Sequence, residues 1–308
     1  MKEACLIIPY YGNWPVYMNI FLESCKHNLW LDVLFFTDIK ERPNTTLSNV
    51  QFINFSLTEI EKKVKKLTNI SGFKIPFNYK LCDLKPLYGS IFEDYISDYI
   101  YWAYGDCDLV YGDVYSFVKT KFESKIDFIS FHDKWLSGSF TLVRNNPYNN
   151  KLFQKLEMLE KHLNSEVFEG IDEVKHQWIF EDRLELSPSC MTYLVQLKTN
   201  QKKITSSFEN NITEELIKND LIFYNNGTID YNHSFKAYFH YVSNKIRPQF
   251  CFPNWRNVPQ KFYINETGFY KAKWQATILR PFKKYPKLFF YYMLKLPNYI
   301  KRKLLLDG

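Results

Sequence analysis

Asp106 and Asp108 flank one small residue, Cys107, directly after the apolar run Tyr99-Ile100-Tyr101-Trp102-Ala103. On an extended turn both carboxylates can reach one hard cation together with the phosphate oxygens of a nucleotide. A cation held in that way bridges a diphosphate and stabilises the charge that develops as it leaves. An isolated D-x-D triplet usually marks a solvated turn, so its setting carries the argument. The preceding run is dense in aromatic and β-branched residues, as strands are, and Leu109-Val110-Tyr111-Gly112-Asp113 follows. Ligands of open α/β sheets bind beyond the carboxyl ends of strands, which is where these acids fall.

The elements that must position them follow from apolar spacing. Leu6-Ile7-Ile8 reads as a buried strand, Pro15 suits the first turn of a helix running to about Lys26, and Val33-Leu34-Phe35-Phe36 is a second strand ending at Thr37-Asp38. This is the opening βαβ of a parallel sheet. Phe52 to Phe55 predicts a third strand and Leu57 to Leu67 an amphipathic helix. Asp83 to Phe92 has helical spacing, and Pro86 is tolerated only in a first turn, so Asp83 is expected near a helix N-terminus. Phe128 to Phe131 and Ser139 to Val143 read as strands, Asn149 to Leu163 as a helix, and a short helix is expected through Trp178. Residues 185 to 230 read as mixed strands and loops, and Ala237 to Tyr241 as a late strand.

Four segments together resemble a family of bacterial glycosyltransferases of the GT-A fold found in capsule, O-antigen and lipooligosaccharide loci. They are Ile8-Pro9-Tyr10-Tyr11-Gly12, the stretch Tyr79 to Gly89, Tyr104-Gly105-Asp106-Cys107-Asp108, and Ser137 to Asn145. More distantly the layout is similar to the lipooligosaccharide galactosyltransferase type. The resemblance implies an α/β GT-A fold, Rossmann-like with a mostly parallel central sheet, and Mn²⁺ or Mg²⁺ on Asp106 and Asp108 with a late His as a further ligand. His240, at a strand end just before the tail, is the candidate for that His, with His132 and His233 as weaker alternatives. A lone His among aromatics is also commonly a core residue bonded at one nitrogen.

The same resemblance places Asp83 against a ribose or donor sugar hydroxyl and Lys85 against the diphosphate, where a point cation suits phosphate. The alternative is that Asp83 caps a helix and Lys85 is solvated. Pro9, Tyr10 and Tyr11 occupy the first strand-to-helix turn, where GT-A folds seat the base; either tyrosine can stack on uracil, and Thr37 and Asp38 can bind base or ribose. Tyr11-Gly12 can equally be turn chemistry alone. Asp172 and Glu173 lie in a loop with Gly170, and either can serve as base for an acceptor hydroxyl, or as nucleophile or ion-pair partner at the anomeric carbon. A helix N-cap pair explains them as well.

At 308 residues the chain can bury a large core, and 46% apolar with 24% charged residues excludes disorder. Aromatic residues reach 19%, enough to fill a core or to stack on sugar rings. Six scattered cysteines form no C-x-x-C pair and suit a reducing cytosol. The N-terminus is expected to carry no export signal. Net charge is +7, and from Lys271 onward ten basic residues face a single acid, Asp307. This basic amphipathic tail interleaves its cations with Trp274, Phe282, Tyr285 and Phe289 to Tyr292. Such a segment suits an anionic membrane surface and is too interrupted to span a bilayer, although a helix packed on the catalytic domain with a solvated basic face has the same composition. No nucleic-acid fold accompanies it, so no nucleic-acid partner is expected.

The expectation is therefore a catalytic domain over 1–245 and a basic aromatic extension over 246–308, peripheral on the inner face of a bacterial cytoplasmic membrane. Its function would be transfer of a hexose from a UDP-sugar to a growing glycan or lipid-linked glycan. The rival readings are a metal-dependent nucleotidyltransferase, which usually carries an early Gly-rich loop absent near Gly12, and a membrane-bound glycan-binding or scaffolding protein with a vestigial transferase fold.

Overall fold

In the computed structural model of the chain, residues 2–173, 176–180, 183–278, 287, 288 and 291 are described, those from 176 to 184 by their backbone only. The contributions of Arg280, Phe282, Lys283, Lys284, Tyr285, Phe289, Phe290, Tyr292, Lys295, Lys301, Arg302 and Lys303 to the expected tail lie outside the described residues. The chain divides into two compact units. The first holds the residues up to Pro15, Asn28–Cys107 and Val114–Ile212; the second holds Val16–His27, Asp108–Asp113 and the described residues from Thr213 on.

The first unit is built on a seven-stranded sheet in the order Ser206–Phe208, Phe128–Ser130, Phe140–Arg144, Tyr99–Gly105, Lys2–Pro9, Leu31–Thr37, Val50–Asn54. Lys2–Pro9 runs parallel to both Leu31–Thr37 and Tyr99–Gly105, and only Phe140–Arg144 is antiparallel to its neighbours. The result is the mixed α/β fold with a mostly parallel sheet that the sequence predicts. Tyr99–Gly105 is a central strand, buried on both faces from Tyr101 on, which explains its apolar character; only Ile100 within it is exposed. Trp102 is 1% exposed and donates its indole N–H to Asn150 Oδ1 at 2.8 Å, so its polar atom is satisfied inside the core. Burial of each such ring is worth roughly 1.5–3 kcal/mol.

Local chemistry fixes the helices. Leu57–Thr68 starts at a full capping box, in which Ser56 and Glu59 satisfy each other's backbone N–H, and ends at Asn69 in the left-handed region. Three expectations are corrected. Asp83 is not at a helix N-terminus but inside a 3₁₀ segment, Asn78–Leu87, that runs on into Tyr88–Ile91. The helix expected over 149–163 is broken into Pro147–Asn150, Leu152–Lys155 and Leu159–Leu163, because Met158 takes a positive φ of 57° that no helix continues through. Trp178 lies in a strand, His176–Phe180, paired antiparallel with Arg183–Leu186.

The second unit contains the helix Met18–Cys25 and a five-stranded antiparallel sheet in the order Ser234–Lys236, Thr228–Tyr231, Ile222–Asn225, Lys261–Asn265, Gly268–Tyr270. Leu109–Tyr111 pairs antiparallel with Tyr238–His240. Its core is largely aromatic: Tyr241 packs on Phe250, Phe252 and Phe269, and Tyr224 stacks on Phe262. Much of the aromatic excess is therefore core. The helix Lys273–Ile278 leaves Trp274 and Ile278 more than half exposed. Among the described residues no helix is long and apolar enough to cross a membrane.

Candidate functional site

The strand Tyr99–Gly105 delivers Asp106 to its carboxyl end, and the Asp106 N–H donates to Ser139 O at 3.0 Å. That approach needs glycine at 105, since a Cβ there would sit 2.6 Å from the same carbonyl. Lys85 reaches Asp106 from the 3₁₀ segment. Its Nζ donates to Asp106 Oδ1 at 2.9 Å and to Gly138 O at 2.8 Å, and lies 3.6 Å from Asp172 Oδ2. Burial alone would lower the Lys85 pKa, but Asp106 foremost, with Cys82, Asp172 and Glu173, raises it well above the ordinary lysine value. Lys85 is a fixed cation.

Asp172 is 1% exposed, and its Oδ1 has no hydrogen-bond partner among the described residues. Burial, followed by the neighbouring carboxylates Glu173, Asp83 and Asp106, pushes its carboxyl well above the usual range against the pull of Lys85. A carboxyl raised in this way keeps its proton to higher pH than an exposed aspartate does. Glu173 is tied differently: it accepts the Gly138 N–H at 2.5 Å, and a Cβ on Gly138 would collide with its carboxylate. Gly138 thus gives its N–H to Glu173 and its carbonyl to Lys85, so one residue sets both charged groups.

Asp83, expected against a sugar or ribose hydroxyl, has its carboxylate bonded within the chain. It is fully buried, and its carboxylate accepts from the backbone N–H groups of Glu169 at 2.9 Å, Gly170 at 2.8 Å and Ile171 at 3.3 Å. Lys80, also fully buried, lies 2.9 Å from Asp83 Oδ2 and donates to the carbonyls of His162 and Val167 at 2.7 and 2.9 Å. Every polar atom of this pair is used on the chain itself. The pair pins the turn that leads into Asp172 and Glu173, which makes Asp83 and Lys80 positioning residues.

Asp108 lies at the start of the second group. Antiparallel pairing sets His240 opposite Leu109, and the Tyr241 N–H donates to Asp108 O at 3.3 Å, so the register itself brings His240 beside Asp108. His240 Nε2 is 3.5 Å from Asp108 Oδ2, and its Nδ1 is 3.4 Å from Glu214 Oε1. Lys245, at the end of the short helix Val242–Lys245, donates to the same Asp108 Oδ2 at 2.5 Å. Burial opposes ionisation of Asp108, yet His240 and then Lys245 hold its carboxyl below the ordinary range. Within the second unit Asp108 thus has the His240 imidazole beside it, and Asp106 stands two residues earlier in the chain. Two hard carboxylates and an imidazole make a donor set that a divalent cation such as Mn²⁺ accepts.

The remaining expected residues gather less closely. Tyr10 stacks on Trp14 at 4.9 Å, with its hydroxyl donating to Asn13 O. Tyr11 does not present a stacking face: its ring is in the core and its hydroxyl donates to Phe55 O at 2.8 Å. Thr37 is likewise buried, its hydroxyl oxygen accepting the Ile39 N–H, whereas Asp38 is exposed and Pro9 half-buried. His132 stacks on Trp135 at 3.5 Å, and His233 sits in a turn between two strands of the second unit. Neither belongs to the carboxylate group. Sequence reasoning missed Lys80 and Lys245. Lys80 carried a local signal, its spacing of three residues from Asp83, and Lys245 a weaker one, a cation five positions after His240.

A family model matches residues 6–273, nearly the whole described chain. The chain belongs to DUF6625, a family of unknown function. No curated protein matches it. Among solved structures, the DUF6625 chain is similar to the galactosyltransferase LgtC in complex with donor and acceptor sugar analogues, at 11% identity and a TM-score of 0.33, over 52% of this chain and 64% of that one. It is also similar to the apo glycosyltransferase GlyE of Streptococcus pneumoniae, at 14% identity and TM-score 0.33, over 67% of this chain and 45% of that one. Mouse xyloside xylosyltransferase 1 gives 8% identity and TM-score 0.32, over 68% and 78%. The matched part is thus under two thirds of the LgtC and GlyE chains. Likeness this remote says nothing of activity.

Proposed function

We propose that this DUF6625 protein is a metal-dependent glycosyltransferase that moves a hexose from a UDP-sugar to a growing surface glycan or lipid-linked glycan. The observation that carries the reading is the Asp106-Cys107-Asp108 turn after the strand Tyr99–Gly105, with His240 beside Asp108 and a lysine bonded to each carboxylate: the buried Lys85 on Asp106 and the partly exposed Lys245 on Asp108. Asp106, Asp108 and His240 would hold Mn²⁺ or Mg²⁺, which when bound offsets the negative charge growing on a departing diphosphate.

The chain's own residues supply the rest. Lys85, held by Asp106 and Gly138, would present a preorganised positive charge to phosphate oxygens. Asp172, buried beside Lys85, has an Oδ1 with no hydrogen-bond partner among the described residues, an acceptor for a sugar hydroxyl or for an incoming acceptor. Tyr10, stacked on Trp14 on the turn after the first strand, would extend that aromatic stack to the base, with Asp38 exposed beside the end of the second strand. The basic extension would hold the enzyme to an anionic membrane surface on the cytoplasmic side. The exposed Trp274 and Ile278, alongside Lys271 and Lys273, support that reading.

Incubation of purified protein with UDP-galactose, UDP-glucose and their N-acetyl forms tests it. At least one donor is expected to release UDP slowly with Mn²⁺ and to stop when the metal is chelated. No binding or turnover of any nucleotide sugar, with either Mn²⁺ or Mg²⁺, would refute it.

A further inference from the structure

Each of the two central carboxylates already carries a lysine. Lys85 Nζ is 2.9 Å from Asp106 Oδ1 and Lys245 Nζ is 2.5 Å from Asp108 Oδ2. The two lysines differ in what else holds them. The Lys85 side chain is 5% exposed and also bonds the Gly138 carbonyl, so it has no other place to go. The Lys245 side chain is 29% exposed and ends a four-residue helix. Its ammonium sits on Asp108 Oδ2, the same oxygen that faces His240 Nε2 at 3.5 Å. A divalent cation taking both Asp108 and His240 as ligands would sit against this carboxylate and this ring, where Lys245 is already bonded. Lys245 is therefore in its way, both by position and by like charge.

We propose that Lys245 is a built-in competitor for the metal, which it yields only when an anionic diphosphate arrives to accept its ammonium. The inference rests on the glycosyltransferase reading and adds a binding rule to it: the protein takes up metal and nucleotide together. With a lysine on each carboxylate, a dication alone meets less negative charge than the two carboxylates would offer unpaired. Glu214 beside His240, and Asp172 and Glu173 near Lys85, add negative charge but leave the competition at Asp108 Oδ2 as it is. A diphosphate changes the balance, because its oxygens can take the Lys245 ammonium and complete the metal's coordination at once. Lysine suits this exchange, being a compact charge on a flexible stem with three rotatable donors. By linkage, whatever the nucleotide adds to metal affinity the metal must add to nucleotide affinity.

The device excludes an unproductive complex. Metal held without a nucleotide would leave a charged site open to other phosphates and carboxylates. A lysine that must first be drawn off makes loading conditional on a ligand with several anionic oxygens.

Calorimetric titration of Mn²⁺ into the full chain, with and without saturating UDP, reads the coupling directly. Wild type is expected to bind Mn²⁺ alone weakly and at least about tenfold more tightly with UDP, the scale of relieving one close like charge in a partly solvated site. In Lys245→Met, Mn²⁺ alone should bind about tenfold more tightly than in wild type, and the enhancement by UDP should shrink. Lys245→Arg should behave as wild type for Mn²⁺ alone, and circular dichroism on all three confirms an equal fold. Tight Mn²⁺ binding by wild type without UDP, or Lys245→Met binding Mn²⁺ no more tightly than wild type, overturns the inference while leaving the proposed activity standing. Failure of wild type to bind Mn²⁺ even with UDP removes both.

Discussion

Asp108→Asn is expected to lower kcat/KM for whichever UDP-sugar is accepted by about 10³-fold, near 4 kcal/mol of lost transition-state stabilisation, while the protein remains folded. Asparagine has nearly the same shape and keeps one acceptor, so the Tyr241 N–H still reaches the backbone carbonyl of residue 108 and the strand pairing survives. What disappears is the negative charge that His240 and Lys245 stabilise at a position only 4% exposed. Neither a divalent cation nor the lysine then has its partner. Steady-state kinetics at saturating Mn²⁺ measures the loss. A decrease of less than about tenfold would mean that Asp108 is an ordinary buried counter-ion rather than part of the reacting centre.

Asp83→Ala carries the largest expected effect on stability, about 3 to 5 kcal/mol. Lys80 would be left fully buried without its carboxylate, and the N–H groups of Glu169, Gly170 and Ile171 would lose their acceptor together. Asp83→Asn should fall between alanine and wild type, because an amide oxygen can still accept from part of the turn. Urea denaturation followed by tryptophan fluorescence gives the values. A shift under about 1 kcal/mol for Asp83→Ala would show that the turn is held by packing and that this pair is not what positions Asp172 and Glu173.

How legible these residues were depends on the range of the interactions that define them. Asp106 and Asp108 could be read from sequence because an acidic turn after an aromatic strand is a local pattern, and the parallel opening of the sheet followed from apolar runs of strand length. His240 was nominated through resemblance, and the pairing of residue 240 with residue 109 supplies its physical reason. Asp83 was misplaced because Asp followed by Lys-Pro looks like a helix start, whereas the observed 3₁₀ segment begins upstream at Asn78 and buries Asp83 within it. Its true partners are backbone amides 86 to 88 positions away, which no periodicity encodes. The same holds for Lys245, 137 positions from the carboxylate it touches. The break at Met158 depends on one left-handed residue that is not glycine, and the helix Met191–Asn200 has only a short apolar stripe at Met191, Leu194 and Val195. Both were hidden for the same reason: tertiary packing decided against a weak local signal.

The assignment of Asp106, Asp108 and His240 as a metal centre on the diphosphate is tested most directly by pulsed electron paramagnetic resonance of Mn²⁺ bound to the protein with UDP. A ³¹P coupling from the nucleotide and a ¹⁴N coupling from one imidazole are expected in the same spectrum, with the nitrogen signal lost in His240→Gln and the phosphorus signal retained. A spectrum of solvated Mn²⁺ with neither coupling, or a nitrogen coupling that persists in His240→Gln, would contradict the account.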